Sequence, residues 1–435
     1  MNAQERNPAS AGRPESRFAG KPHLVIAGSG GRAYREYAFA ALADDYRLSL
    51  VLGACPTWQL DYVDQFAVAD LADPAALAGA VRELGRDGSE PGLLTWDETV
   101  VSAAAQAAGK LGLPHIPAAA VEHCRDKYAT RSLMAEAGLP SVAHRLVRSA
   151  ADAVRAAAEL GYPVVLKPRA LAGSMGVVRA ESAEELVAAF PIADGASYAN
   201  LPTGHGILVE EYLDGPEISV DSVAFGGEVH CVHIARKRLG FAPFFEEVGH
   251  LVVDCDEEPW YDGVCELVRS AHRVLGVRLG VTHCEVRLTA KGPRLVEANA
   301  RLGGDFIPYL SRLSTGIDLT RVAAELALGR VPDLARDRHA AAEVRFVYPP
   351  HDGVVRSLEL EAAAEVPGIE YVAALAGPGD RLLLPPRQAV PRLAALIAVG
   401  ADEAECARAL DFAEQSVVAV VRADLPVRAE AGALR

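Results

Sequence analysis

A chain of 435 residues, 50% hydrophobic and 23% charged, carries enough apolar material for two to four globular domains with cores of their own. Its formal net charge of −15 excludes a general nucleic-acid binder, although a local basic pocket can still hold phosphates. No run of about 20 apolar residues reads as a membrane span, so a protein with no membrane partner is expected.

The first twenty residues are polar, with Pro and Gly and without the apolar centre of a signal peptide, and read as a loose tail (1–20). Seven scattered cysteines with no CxxC suggest a reducing, cytoplasmic setting and indicate neither a disulfide framework nor a zinc site. The short apolar strand 23–28 runs into Ser29-Gly30-Gly31-Arg32, and an alanine-rich helix follows at about 33–43. Strands at 48–54, 65–70 and 92–96 alternate with helices at 74–84 and 98–109. This alternation predicts an open parallel α/β sheet over residues 21–120. Gly28, Gly30 and Gly31 suggest a nucleotide-binding turn, but Ala33 stands where the third glycine of GxGxxG belongs. A tight strand-to-helix turn, or a wall for a small substrate, is the better reading.

A linker at Pro114–Pro117 opens a second region, 121–340. A helix over 123–137 is stopped by Gly138-Leu139-Pro140. A helix at 149–160 leads through Gly161-Tyr162-Pro163 into the strand 164–167, the loop 172–177, a helix near 182–190 and the strand 206–211. Residues 218–300 read as strand-rich. Within them, two alternating runs, 281–289 and 294–298, flank Lys291-Gly292-Pro293 and predict a hairpin. Strands near 344–348, 353–358, 370–375 and 391–399, with a helix at 402–416, predict a small C-terminal α/β module over 341–430.

Three groups of residues carry chemistry. Lys167 ends an apolar strand, where a cation is rarely tolerated unless an anion receives it; the glycines of the loop Gly173-Ser174-Met175-Gly176 let backbone N–H groups close over a polyphosphate. It is no Walker loop, since the lysine precedes the glycines. In LVEEYLDGPE, a strand edge at Glu210, Glu211 and Leu213 can offer backbone hydrogen bonds to a purine, and Glu217 can hold ribose hydroxyls. The predicted hairpin puts Glu285 and Glu297 on one face beside Asn299, an all-oxygen set suited to magnesium with substrate phosphates. Taken singly, a surface lysine and a solvated Glu pair remain open readings. Cys284 points away from the Glu285 face and reads as a small core residue. The run Arg236-Lys237-Arg238 reads either as a partner for a phosphate or carboxylate or as plain charged surface.

The order of these pieces resembles the ATP-grasp superfamily, specifically its carboxylate–amine ligases, from about Val25 to Asp305 and more weakly beyond. The resemblance implies an ATP-grasp fold: an N-terminal open parallel α/β domain, an ATP-grasp domain with a mobile lid at about 145–208, and a small C-terminal module packed on the core. It implies that Lys127 and Lys167 contact ATP phosphates, that 172–177 is the lid loop, and that Glu210, Glu211 and Leu213 face adenine with Glu217 on ribose. Glu285, Glu297 and Asn299 match the ligands of one or two magnesium ions, with manganese as a substitute. Arg301 matches the basic residue that follows; with Gly303 and Gly304 it would stabilise the transferring phosphoryl group and the acyl phosphate.

Within the superfamily, His283-Cys284-Glu285 and Glu297-Ala298-Asn299-Ala300-Arg301-Leu302-Gly303-Gly304 look most like the L-amino-acid ligases. That likeness implies amide-bond formation between an amino-acid carboxylate and an amine, with ADP and phosphate released. Glu247, in the loop 244–250, is then expected to read an amino group, and His283 to orient a metal ligand or substrate. Arg287 is the alternative carboxylate partner to Arg301. A purine-pathway or natural-product intermediate as substrate is the alternative, and a homodimer is expected by likeness to related ligases.

Overall fold

The structure is a computed structural model that describes residues 20–86, 88–198, 201 and 203–423; the predicted tail, apart from Gly20, lies outside them. The chain begins with β1 (His23–Ala27), α1 (Arg32–Ala43), β2 (Arg47–Leu52), β3 (Gln65–Val68), α2 (Pro74–Leu84), β4 (Gly92–Leu94) and α3 (Val101–Leu111). The strands pair in parallel in the order β3-β2-β1-β4. Every residue of β1 is buried, as expected for a strand covered on both faces. The strand order reverses between β1 and β4, so their carboxyl ends open a crevice of the kind that receives ligands in α/β sheets.

Two helices, α4 (Ala118–Arg125) and α5 (Lys127–Glu136), stand where one over 123–137 was predicted. The break is at Asp126, whose extended backbone (φ −89°, ψ 98°) lets its carboxylate accept the N–H groups of Tyr128 and Ala129. Aspartate gains such a cap more readily than it tolerates a helix interior. The cap makes Lys127 the first residue of α5.

Next comes a compact unit of β5 (His144–Val147), α6 (Ala150–Leu160), β6 (Val164–Pro168), β7 (Val178–Ala180), α7 (Ala183–Asp194) and β8 (Ile207–Glu211). Its antiparallel strands run in the order β5-β8-β6-β7. Ser149 and Ser182 cap the two helices through their hydroxyls.

The main sheet begins with β9 (Glu217–Phe225), β10 (Glu228–Gly240) and β11 (Glu246–Val252), then α8 (Tyr261–Leu275), β12 (Gly280–Thr289) and β13 (Gly292–Asn299). The stretch 218–300 is strand-rich as read, and helix α8 is an element the reading did not place. Its buried Val264, Cys265, Leu267, Val268, Ala271 and Leu275 recur at three- and four-residue spacing, the helical period. After α9 (Ile307–Thr315) and α10 (Leu319–Ala327) come β14 (Ala341–Val347), β15 (Gly353–Glu359), α11 (Glu361–Ala364), β16 (Ile369–Ala374), β17 (Arg381–Leu382), β18 (Ala394–Gly400), α12 (Glu403–Gln415) and β19 (Val418–Ala423). The C-terminal strands do not form one separate sheet. β14, β18 and β16 complete an eight-stranded sheet, β13-β12-β9-β10-β11-β14-β18-β16, and β15, β17 and β19 form a small one.

The N-terminal sheet and the main sheet share a core in which Leu24, Ile26, Phe39 and Trp96 pack with Val223, Val281, Leu302, Leu319 and Leu326. That packing sets the β1–β4 crevice against the β12–β13 hairpin. Among the described residues no helix is long and apolar enough to cross a membrane.

Candidate active site

A cavity of about 400 Å³ lies between the crevice, the β5–β8 unit and the hairpin. Glu285 and Glu297 are Cα partners across β12 and β13, as are His283 and Asn299. All four side chains line the cavity. The two carboxylates meet cations from different elements: Lys127 Nζ lies 3.2 Å from Glu297 and Lys237 Nζ 3.1 Å from Glu285. Burial opposes ionisation of Glu285, but Lys237 and His283 outweigh it and hold its pKa well below the usual range. Burial raises the pKa of Glu297, with Lys127 working the other way and Glu285 adding to the rise. Two opposed carboxylates with an amide oxygen two residues on are a hard, all-oxygen donor set that fits magnesium.

The lysine expected at the strand end is fully engaged. Lys167 Nζ is 2.6 Å from Glu210, and Arg131 grips the same carboxylate at 3.0 and 3.3 Å. Burial lowers the Lys167 pKa to about 8 despite Glu210, with Arg131 and Lys127 adding to the fall. Burial also opposes ionisation of Glu210, but Arg131 and Lys167 bring its pKa down from 4.5 to about 2. A carboxyl whose pKa falls on folding stabilises the native state above its unfolded value and loses that contribution as pH falls toward the folded one. Acid unfolding of the wild type is therefore expected to steepen between pH 4.5 and about 2. Glu210→Gln, less stable at neutral pH, should lack that component in circular dichroism titrations; an equal slope in both would remove Glu210 as its source.

Glu211 accepts the Ala143 N–H through its carboxylate at 2.9 Å, closing the β5–β8 edge. Glu217 is bound by Arg287 at 2.7 Å and Lys237 at 2.8 Å. Arg287 also donates to the Gly215 carbonyl and lies near the rings of Tyr212 and Phe245. It belongs to the Glu217 end of the cavity, together with Leu213. Gly173, Ser174 and Met175 line the wall. Gly176 is turned away from it: a Cβ there would fall 2.6 Å from that of Ala196.

At the other end, Arg301 is held by Glu98 at 2.6 Å and by the Leu302 carbonyl at 2.7 Å. Gly304 lines the cavity. Gly303 does not; it packs so closely on His283 and Asp221 that a Cβ would lie 3.0 Å from the imidazole. His283 itself hydrogen-bonds Asp221 at 2.6 Å and stands 3.8 Å from Glu285. Burial lowers its pKa, but Asp221 and Glu285 carry it to about 9, so it faces Glu285 as a cation. Glu247 meets Lys237 at 2.9 Å and His250 at 3.1 Å. Burial disfavours its charge, yet Lys237 and His250 keep its pKa below the usual range. Cys284 is buried, as expected.

The structure adds residues that the sequence reading did not place. Lys237 lies behind the wall, its side chain only 2% exposed, bonded to Glu217, Glu247 and Glu285; it is no surface charge. Arg392 binds Asp305 through two bonds of 2.7 and 2.8 Å and lies 3.5 Å over the Phe346 ring. Asp221 sits between His283 and His233. Arg392 follows a proline before an apolar strand and Asp221 lies inside one, positions with no local signal of a site.

Residues 56–115 match the ATP-grasp N-terminal domain, 160–309 the ATP-grasp domain and 345–422 the L-amino acid ligase C-terminal domain 2. The chain thus carries ATP-grasp N-terminal and core domains followed by an L-amino acid ligase C-terminal domain. It is 27% identical over 264 residues to alanine–anticapsin ligase of Bacillus subtilis, covering 56% of this chain and 55% of that one. It is 33% identical over 256 residues to carnosine synthase 1 of Gallus gallus, covering 55% of this chain and 27% of that one. The match thus spans about half or less of these relatives' length. The crystal structure of an L-amino acid ligase from Bacillus licheniformis superposes with a TM-score of 0.79 at 23% identity, covering 93% of this chain and 99% of that one.

Proposed function

We propose that this protein joins the carboxylate of one amino acid to the amine of a second molecule, with ATP converted to ADP and phosphate. The observation that carries the reading is the opposed Glu285 and Glu297 beside Asn299, in one cavity with Lys127, Lys167, Arg301 and Gly304. A carboxylate oxygen attacks the γ-phosphorus and ADP leaves. The amine then attacks the acyl carbon, phosphate departs and the amine gives up a proton. Such chemistry is served by position and charge neutralisation and needs no protein nucleophile.

Lys127 and Lys167 offset phosphate charge, and Leu213 and Glu217 mark the nucleoside end. Glu285, Glu297 and Asn299 would hold one or two magnesium ions, or manganese, which would supply charge neutralisation for the phosphates. Arg301, steadied by Glu98, orients the carboxylate with its planar fork. The Gly304 backbone approaches the acyl phosphate. Glu247, kept ionised, receives an ammonium group. The loop 172–177 excludes water from the acyl phosphate.

Incubation with ATP, magnesium and pooled amino acids tests the reading. Amino-acid-dependent ADP and phosphate with a new ligated mass support it; AMP and pyrophosphate contradict the acyl-phosphate route. Arg301→Lys keeps the charge but loses the fork, so carboxylate-dependent ADP formation should fall sharply with nucleotide binding largely retained. Weakened ATP binding with a normal rate at saturating ATP would instead make Arg301 a nucleotide contact.

A further inference from the structure

Of the arginines on the cavity wall, Arg287, Arg301 and Arg392 are each neutralised by a carboxylate, from Glu217, Glu98 and Asp305. Arg35, on α1, lines the same cavity and makes no ion pair among the described residues. It is only 9% exposed. Its Nη2 donates to the Gly303 carbonyl at 3.2 Å, and its Nη1 is buried without a hydrogen-bond partner. Burial raises the pKa of the nearby Tyr37 hydroxyl, so that group stays a neutral phenol and offsets no charge.

The placement is specific. The Arg35 stem lies along Gly30, where a Cβ would fall 2.9 Å from its Cγ, and its guanidinium carbon is 6.0 Å from the Trp96 ring centroid. Gly30 and Trp96 also line the cavity. They follow β1 and β4 and so mark the crevice where the strand order reverses. A buried guanidinium facing a carbonyl and the neutral Tyr37 phenol, with no carboxylate beside it, is costly, and an arriving anion relieves that cost. Phosphates have Lys127 and Lys167, and the carboxylate to be activated has Arg301. The anion left without a partner is the carboxylate that is not activated, which the acceptor would bring.

We propose that Arg35 receives the α-carboxylate of the acceptor. The acceptors are then free amino acids, not simple amines, and the product ends in a free carboxylate. This rests on the ligase reading above. The test is steady-state kinetics of the wild type, Arg35→Lys and Arg35→Met with one acceptor amino acid and its α-amide, each variant checked by thermal melting.

The wild type should prefer the acid over the amide. In Arg35→Met the acceptor KM for the acid should rise roughly 10- to 100-fold, the worth of a charge-assisted hydrogen bond. The preference then collapses toward one, while Arg35→Lys recovers part of it. If Arg35→Met does not fold, Arg35→Lys carries the same comparison. A wild type that uses the amide as well as the acid, or a variant equally weakened on both, overturns the assignment and leaves Arg35 as an anchor for Gly303. A wild type that releases no ADP with any amino-acid pair overturns the ligase reading itself, a distinct result.

Discussion

Glu297→Gln and Glu285→Gln are each expected to lower ligase turnover by about 100-fold or more with the fold intact, because an ill-placed reacting group alone costs that much. The two residues are Cα partners across the hairpin, so each substitution changes one side of a two-sided grip. Glutamine keeps the volume but replaces a carboxylate oxygen with an amide nitrogen that repels a cation. The structural cost at Glu297 should be small, since burial already raises its pKa and favours a neutral group there. Glu285 is held ionised by Lys237 and His283 after burial is overcome, so its variant should lose more stability than the Glu297 variant. ADP release across a magnesium titration, with circular dichroism on the same samples, checks both. Folded variants that regain near-normal rates at saturating magnesium would sink the metal-ligand assignment.

The legible parts of this chain were those with a local period or an ordered set of residues. The hairpin could be read because 281–289 and 294–298 alternate around a turn, and strand pairing then puts Glu285 opposite Glu297. Lys167 could be read because a cation at the end of an apolar strand implies a partner, although Glu210 is a partner the sequence cannot name. The illegible parts depend on distant contacts. Lys237 sits between two arginines in a run that reads equally as an anion partner or as charged surface, and only carboxylates from β9, β11 and β12 make it a buried centre. The C-terminal strands read as a small module on the core, but nothing local shows that its β14 pairs with β11. Helix α8 was hidden inside a strand-rich stretch, although its three- and four-residue spacing was present to be counted. The Gly303-Gly304 pair shows the limit in miniature: the spacing marks both residues, and packing against His283 leaves one of them on the cavity wall.

Lys237→Met is expected to destabilise the fold by about 3–5 kcal/mol, the usual cost of removing one partner from a buried charge cluster. Its ammonium is 2.8, 2.9 and 3.1 Å from Glu217, Glu247 and Glu285, which come from β9 and β11 on either side of β10 and from β12 beyond β9. Burial alone would strip the proton from Lys237, but these three carboxylates raise its pKa well above the ordinary lysine value. Without the ammonium, like charges face one another in a largely buried site, and Glu247 and Glu285 lose the charge that chiefly keeps them ionised. The denaturant midpoint should drop while its slope is unchanged, which marks a loss of stability and not a looser state. Adding Glu247→Gln should restore part of the loss, because residues sharing a partner are not additive. Magnesium should stabilise the Lys237→Met variant more than the wild type, since a bound cation near Glu285 replaces some of the missing charge. A loss below about 1 kcal/mol, the scale of an exposed ion pair, would show that the three carboxylates do not depend on Lys237.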